Sequence, residues 1–188
     1  MDSNQSAHPF DQLLDVDSRV RGRSLPSSDA EGPAQHTGGS LALRLNEWRL
    51  LFPLNEASEI IPVPRITRVP GVKPWLMGIA NLRGMVITAV DLRAFLCGKP
   101  AALTSSSRLV VVRSDSWGYG LLVDEIIGMR HFGPDAKMQD LDSVDAEVRR
   151  FLLGGYLSDG AQWLCFDTAR LLNDTKFLGA ATLGTDAT

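Results

Sequence analysis

The sequence predicts an all-β protein with short helices, built as two barrels of about five strands each. Short apolar runs of the kind that form strands recur at even spacing from residue 41 onward, and turn residues separate them. A chain of 188 residues can bury a sizeable core, and this length accommodates two small lobes. Its 44% hydrophobic and 22% charged residues are typical of a soluble globular protein.

Three segments of different composition divide the chain. Residues 1–40 are predicted to be a flexible acidic leader, because residues 21–40 are rich in Ser, Gly and Pro and have no periodicity. Within the leader, "HPFDQLLDVDSRV" has helical spacing of apolar residues, which fits either a short docking helix or a transient helix without a role. The folded body is predicted over residues 41–178, followed by a flexible tail over 179–188.

The first half of the body is predicted as follows. "LALRL" and "WRLLF" flank Asn46-Glu47 and form a hairpin, and "LNEASEII" forms one or two helical turns before Pro62. Four prolines in residues 62–74 impose an extended, loop-like course. "GIANLRGMVITAVDL" then forms two strands joined at a tight turn, and "DLRAFLCG" a short helix that ends at Gly98.

The second half repeats this alternation of strands and turns. "RLVVVRS" and "GYGLLVDEI" are predicted to form a hairpin across Asp115-Ser116, and "IGMRHF" a further strand. Residues 133–150 are polar and irregular. "FLLGGYLS" and "AQWLCFD" form a last hairpin across Asp159-Gly160, and "TARLLND" a closing helix.

Two strands are apolar on both faces, "MVITAV" and "LVVV". A small barrel covers only one face of its strands from within. The outer face must therefore meet a helix, the other lobe or another protein, which suggests a binding module.

The distribution of charge argues against nucleic acid as the main partner. The net charge is −3, and residues 1–40 carry all of it, with three basic and six acidic residues. The body is neutral and has no basic stripe that could neutralise phosphates. The N-terminus has no secretory signal pattern, and no apolar run reaches the roughly 18 residues of a membrane span. We expect a cytoplasmic protein without direct membrane insertion, whose Cys97 and Cys165 are reduced.

Candidate catalytic groups are few. His131 is the one histidine of the body, and the motifs HExxH, GxSxG and GxxxxGK[ST] do not occur. Asp91, Asp124 and Asp167 each follow a predicted strand, so a hydrolase with paired carboxylates is one alternative. Capping of the following helix or turn is the commoner role of such residues. We therefore expect no enzymatic activity, no cofactor and no metal.

The motif "MGIANLRGMVITAVDLRAFL", followed by "YGLLVDEIIGM", resembles the CheW family of chemotaxis coupling proteins. The acidic leader and "VPGVKPWLMGIANLRG" are most similar to the PilI-type adaptors of type IV pilus (twitching motility) systems. The resemblance implies two SH3-like five-stranded barrels and an adaptor recruited to membrane-bound receptor arrays. Its implied partners are the cytoplasmic tips of methyl-accepting chemoreceptors and a CheA-type histidine kinase. A small-barrel nucleic-acid binder and the hydrolase remain as alternatives.

The resemblance also implies a protein-binding site around the N-L-R-G turn. A permanent charge at Arg83, in an apolar neighbourhood, requires a carboxylate or a binding partner, and the family pattern matches Glu59 to that role. Gly84 is expected to adopt a positive φ that closes the turn. The predicted protein-binding residues are Glu59, Asn81, Arg83, Gly84, Met85 and Ile87.

Overall fold

Ten strands in two five-stranded sheets carry the fold of the residues that the computed structural model describes, which are 39–114, 117–138 and 140–181. The strands are β1 (Ser40–Leu45), β2 (Trp48–Pro53), β3 (Ala57–Pro62), β4 (Leu76–Leu82), β5 (Met85–Asp91), β6 (Arg108–Arg113), β7 (Gly118–Val123), β8 (Glu125–Arg130), β9 (Leu152–Ser158) and β10 (Ala161–Phe166). The helices are α1 (Leu92–Cys97), α2 (Ala146–Arg149), α3 (Thr168–Leu172) and α4 (Thr175–Leu178), with 3-10 turns at Pro134–Ala136 and Gly179–Ala181.

Nearly all of the predicted leader and most of the predicted tail lie outside the described residues. At the two ends of the body, β1 begins at Ser40, and the buried Ala180 packs into the core. No helix within the described ranges is long and apolar enough to cross a membrane.

Each sheet contains strands from both halves of the chain. We call the sheet with strand order β8-β1-β2-β10-β9 lobe A, and the sheet with order β3-β6-β7-β5-β4 lobe B. Lobe A therefore combines the first hairpin with the last three strands, and lobe B combines β3–β5 with the hairpin β6-β7. Within each lobe one pair is parallel, β2 with β10 and β5 with β7. Neither half of the chain contains a complete sheet.

Both lobes close in the same way. After the edge strand β3, the chain crosses to the opposite edge, where Thr67 and Ile79 exchange backbone hydrogen bonds of 2.8 and 2.9 Å. After β8, Lys137 forms the equivalent bridge to Tyr156 on β9. These bridges tie one edge of each sheet to the segment that leaves the other edge, so the sheets curl into barrels.

Where a strand is apolar on both faces, its two faces belong to different hydrophobic cores. On β6, Leu109 and Val111 point into lobe B, whereas Val110 and Val112 join the core that the two lobes and the helices share. A third cluster, around Trp163, fills lobe A. The two-faced strand β6 is thus covered by its own barrel and by the other lobe, which was one of the expected solutions.

The hairpins and the helices after Asp91 and Asp167 are confirmed, and three predictions are wrong. Residues 133–150 are not irregular throughout, because they contain a 3-10 turn and helix α2, whose N-cap is Asp145. The segment "LNEASEII" is not helical, because residues 57–62 form β3 and pair with β6 in antiparallel register. Ala57 and Glu59 favour helix locally, but cross-strand pairing overrides that preference. The run "GYGLLVDEI" is not one strand either, since the chain leaves lobe B at Asp124 and Glu125 begins β8 in lobe A.

Residues 75–97 and 151–173 form an internal structural repeat. Each consists of two strands joined by a two-residue turn and followed by a helix whose N-cap is an aspartate. The matching positions, at constant spacing along the chain, are Gly78 with Gly154, Arg83-Gly84 with Asp159-Gly160, and Asp91 with Asp167.

The closure of lobe B requires a glycine at position 78. Gly78 has a φ of 138°, and a Cβ atom there would lie 2.1 Å from the carbonyl oxygen of Thr67. No L-residue fits that approach unless the Thr67 backbone moves away, which would break the bridge to Ile79.

We expect Gly78→Ala to destabilise the protein by roughly 1–3 kcal/mol through backbone strain, and by a comparable amount through the displaced Thr67 carbonyl. Gly84→Ala is the matched control, because Gly84 also has a positive φ (88°) but nothing lies within 4 Å of the added Cβ. Chemical denaturation of both variants measures the difference. Equal losses of unfolding free energy would show that the close approach to Thr67 does not matter.

Candidate partner-binding surface

The turn between β4 and β5 has two consecutive residues with positive φ, Arg83 at 49° and Gly84 at 88°. This is the pattern of a type I′ turn, which matches the twist of a two-residue hairpin. The prediction for Gly84 is confirmed, whereas the left-handed conformation of Arg83 was not foreseen. Asn81 supports the turn, because its Oδ1 accepts a hydrogen bond from the Gly84 N–H at 2.9 Å.

An ion pair joins the turn to the opposite edge of lobe B. An Nη atom of Arg83 lies 2.8 Å from Oε1 of Glu59, which is on β3. Arg83 is largely exposed and Glu59 is partly buried. The carboxylate partner that the sequence analysis assigned to Arg83 is therefore in contact with it, and the pair spans the gap between the two edge regions of the sheet.

Exposed apolar side chains lie around this turn. Met85 and Val86 begin β5, and Trp117, just before β7, is 60% exposed. Met85, Val86 and Trp117, together with Arg113, line a shallow depression of about 480 Å³. We call Met85, Val86 and Trp117 the apolar surface of lobe B.

The other predicted site residue on β5 is placed differently. Ile87 is only 2% exposed and packs inside lobe B. Its side chain points to the same face of β5 as that of Met85, two residues earlier, but it lies deeper in the barrel. Ile87 therefore lies at the floor of the depression that Met85, Val86 and Trp117 line, and its side chain is almost entirely covered by lobe B.

Sequence reasoning missed Trp117. It lies in the polar stretch "SDSWGYG", where the hairpin prediction left it in a turn without a role. A large aromatic residue in such a turn was the available signal, since an exposed tryptophan is unusual unless it meets a partner.

The strand-end aspartates hold backbone groups. Asp91 accepts hydrogen bonds from the Ala94 N–H at 2.9 Å and the Ala101 N–H at 2.7 Å. Asp167 accepts from the Arg170 N–H at 2.8 Å, and Asp124 from the Asn46 N–H at 2.6 Å. The capping interpretation is confirmed for Asp91 and Asp167, and all three carboxylates are engaged in the fold.

The remaining reactive groups do not converge. Within the described ranges, no group of three or more His, Cys, Asp or Glu residues could hold a metal ion. Cys97 and Cys165 are free. Burial raises the pKa of the Cys165 thiol to about 11, and burial also raises the pKa of Cys97, so both thiols are protonated at neutral pH.

Comparison with known proteins places this architecture in a family. Residues 40–176 match the model of the CheW-like domain. The chain is 32% identical over 173 residues to Protein PilI of Pseudomonas aeruginosa, an alignment that covers 92% of this chain and 96% of that protein. It is 28% identical to Protein FrzA of Myxococcus xanthus, covering 73% of this chain and 83% of FrzA.

A solved structure shows the same fold. The scaffolding protein TtCheW of Thermoanaerobacter tengcongensis superimposes with a TM-score of 0.60 at 19% identity, covering 74% of this chain and 89% of TtCheW. The family model spans most of the chain, the relatives align over most of their length, and both five-stranded barrels are present. The chain belongs to the CheW-like domain family.

Proposed function

We propose that this protein is a non-enzymatic signalling adaptor that couples the cytoplasmic tips of chemoreceptors to a CheA-type histidine kinase. Family membership supports a role in chemosensory scaffolding, since TtCheW is a scaffolding protein and several other relatives are chemotaxis proteins. The observation that carries the proposal is the apolar surface of lobe B beside the Glu59–Arg83 pair. This surface offers apolar area for protein binding. The strand-end carboxylates, by contrast, already accept hydrogen bonds from the backbone of the fold.

The proposal extends to the pathway. The similarity to Protein PilI covers nearly the whole of both chains and supports a place in a chemosensory system that controls type IV pili and twitching motility. An adaptor bound to receptor tips would be recruited to membrane-bound receptor arrays through those receptors.

The chemistry of the surface fits a protein partner. Met85, Val86 and Trp117 expose apolar area to water, which is unfavourable. Binding of a partner that covers this area would therefore be favourable. Tryptophan and arginine are also the residue types that dominate binding energy in protein interfaces. The turn that presents Arg83 is held by Asn81 and Gly84, so little conformational freedom is lost on binding.

The ion pair contributes more to the shape of the surface than to stability. Because Arg83 is exposed, its attraction to Glu59 is screened and is worth only about 0.2–1 kcal/mol of folding free energy. It holds the guanidinium over the edge of β3, where a partner meets one defined orientation.

We expect Val86→Glu to weaken binding of the purified kinase by about tenfold or more, because the new carboxylate would be desolvated at the interface. Leu103→Glu is the matched control. Leu103 is 58% exposed, similar to Val86 at 52%, but it lies in the 98–107 loop. Calorimetric titration gives the dissociation constants, and thermal unfolding checks that both variants are folded. Equal affinities for the two variants would exclude Val86 from the kinase interface.

A double-mutant cycle tests the ion pair. Glu59→Arg or Arg83→Glu alone brings like charges together and should weaken binding of receptor or kinase. Exchanging both residues restores their attraction and should recover part of the affinity. Binding is the better measurement, because the effect of an exposed pair on unfolding is small. A coupling energy of zero would mean that the two residues act independently and that Arg83 contacts a partner directly.

A further inference from the structure

Two arginines of lobe A converge on one tryptophan. The guanidinium carbon of Arg49 lies 5.5 Å from the centroid of the Trp163 ring, and that of Arg130 lies 5.3 Å from the same ring. Arg49 is on β2, Trp163 is on the neighbouring strand β10, and Arg130 is the last residue of β8. We call these three residues the arginine cluster of lobe A. The barrel thus brings together two positive charges that are far apart in the sequence.

Neither positive charge of the arginine cluster has a counterion within the part of the chain that the structure describes. Arg49 and Arg130 form no ion pair and no side-chain hydrogen bond there, and their contact is with the ring. By contrast Arg44, which lies opposite Arg49 in the register of β1 and β2, pairs with Glu125 at 2.8 Å. Two like charges beside one ring repel each other, and a bound carboxylate would relieve that repulsion.

The two guanidinium groups are accessible, whereas the ring that holds them is not. Arg49 and Arg130 are exposed, and Trp163 is only 7% exposed. A guanidinium over an aromatic ring is restrained by that ring, and the N–H groups in its plane stay available to a carboxylate. The arginine cluster therefore presents oriented donors at the surface, so little conformational entropy is lost when an acidic group binds.

The arginine cluster occupies the place in lobe A that the depression occupies in lobe B. In the internal repeat Trp163 corresponds to Ile87, and their partners on the adjacent parallel strand are Arg49 and Gly118. Ile87 and Gly118 both line the depression beside the apolar surface of lobe B. Corresponding positions of the two barrels thus form surfaces of different chemistry, apolar in lobe B and cationic in lobe A.

The chemistry of the arginine cluster fits a peptide with acidic side chains. Carboxylates match the paired N–H donors of arginine, and the exposed Met129 beside Arg130 supplies apolar area for the rest of a peptide. A nucleic acid would need a longer basic stripe, which the neutral body does not have.

The identity of the partner rests on the proposed adaptor function. An adaptor that holds two proteins at once needs two separate surfaces, and the apolar surface of lobe B is the one tested above for the kinase. We propose that the arginine cluster of lobe A binds an acidic segment of the chemoreceptor tip, with Arg49 and Arg130 donating to its carboxylates.

The test uses Arg49→Gln and Arg130→Gln in the full-length chain, singly and together. Affinity for a purified cytoplasmic chemoreceptor fragment, measured by calorimetric titration, should fall about fivefold in each single variant and about tenfold or more in the double variant. The loss should be largest at low salt, because salt screens the attraction between opposite charges. Arg49→Lys keeps the charge and should keep most of the salt dependence.

Arg68→Gln is the matched control. Arg68 is also exposed and has no ion pair with a described residue, but it lies between β3 and β4 of lobe B. It should bind the receptor fragment as wild type does, which separates a local contact from the change in net charge. An equal loss of affinity in Arg68→Gln would overturn the inference. So would a lower unfolding temperature of the double variant with unchanged salt dependence of binding, since the arginines would then only cover Trp163.

Two further outcomes separate this inference from the proposed function. If the wild-type chain binds receptor fragment and kinase but the double variant binds both equally well, the arginine cluster has no such role and the adaptor function stands. If the double variant loses as much affinity for the kinase as for the receptor fragment, the cluster is not a separate surface and the inference is also wrong. If the wild-type chain binds neither partner, both proposals fail.

Discussion

Each barrel is completed by strands from the other half of the chain, and most of the structure depends on that pairing. Hairpin β1-β2 becomes part of a five-stranded sheet only when β8 and β10 arrive, and hairpin β6-β7 fills the same role for β3–β5. The shared core, which includes Phe52, Val110 and Phe166, exists only when both sheets are in place. Because these contacts join distant parts of the sequence, we expect folding to be cooperative and slow compared with that of a helical protein of this size.

The candidate site inherits its geometry from the same pairing. Glu59 lies on β3, whose strand partner is β6 of the second half, and Arg83 lies on the turn of β4-β5, which pairs with β7. The 2.8 Å contact between the two side chains therefore depends on both halves of the chain. The proposed binding surface would be lost if the sheets were not assembled.

Much of the fold could be predicted from local pattern, and the errors have physical causes. Hairpins with turn residues between apolar runs were identified because those signals are local. Strand β3 was missed because Ala57 and Glu59 favour helix, and only pairing with β6 makes the segment extended. The burial of Ile87 could not be predicted, because alternation along a strand gives the face of a side chain but not its depth in a barrel. The Glu59–Arg83 contact came from the family resemblance, since no periodicity joins residues so far apart.

Because each sheet contains strands from both halves of the chain, the loop that connects the two halves has a further consequence. Residues 98–107 join α1 to β6 along a largely exposed path, fastened to the body by the hydrogen bond from the Ala101 N–H to Asp91. If that connection opened, the first half of one molecule could pair with the second half of another, and every strand contact would be reproduced in a domain-swapped dimer. The free-energy difference between monomer and swapped dimer would then come from the loop alone, so the length and composition of residues 98–107, together with the protein concentration, would set the ratio of the two.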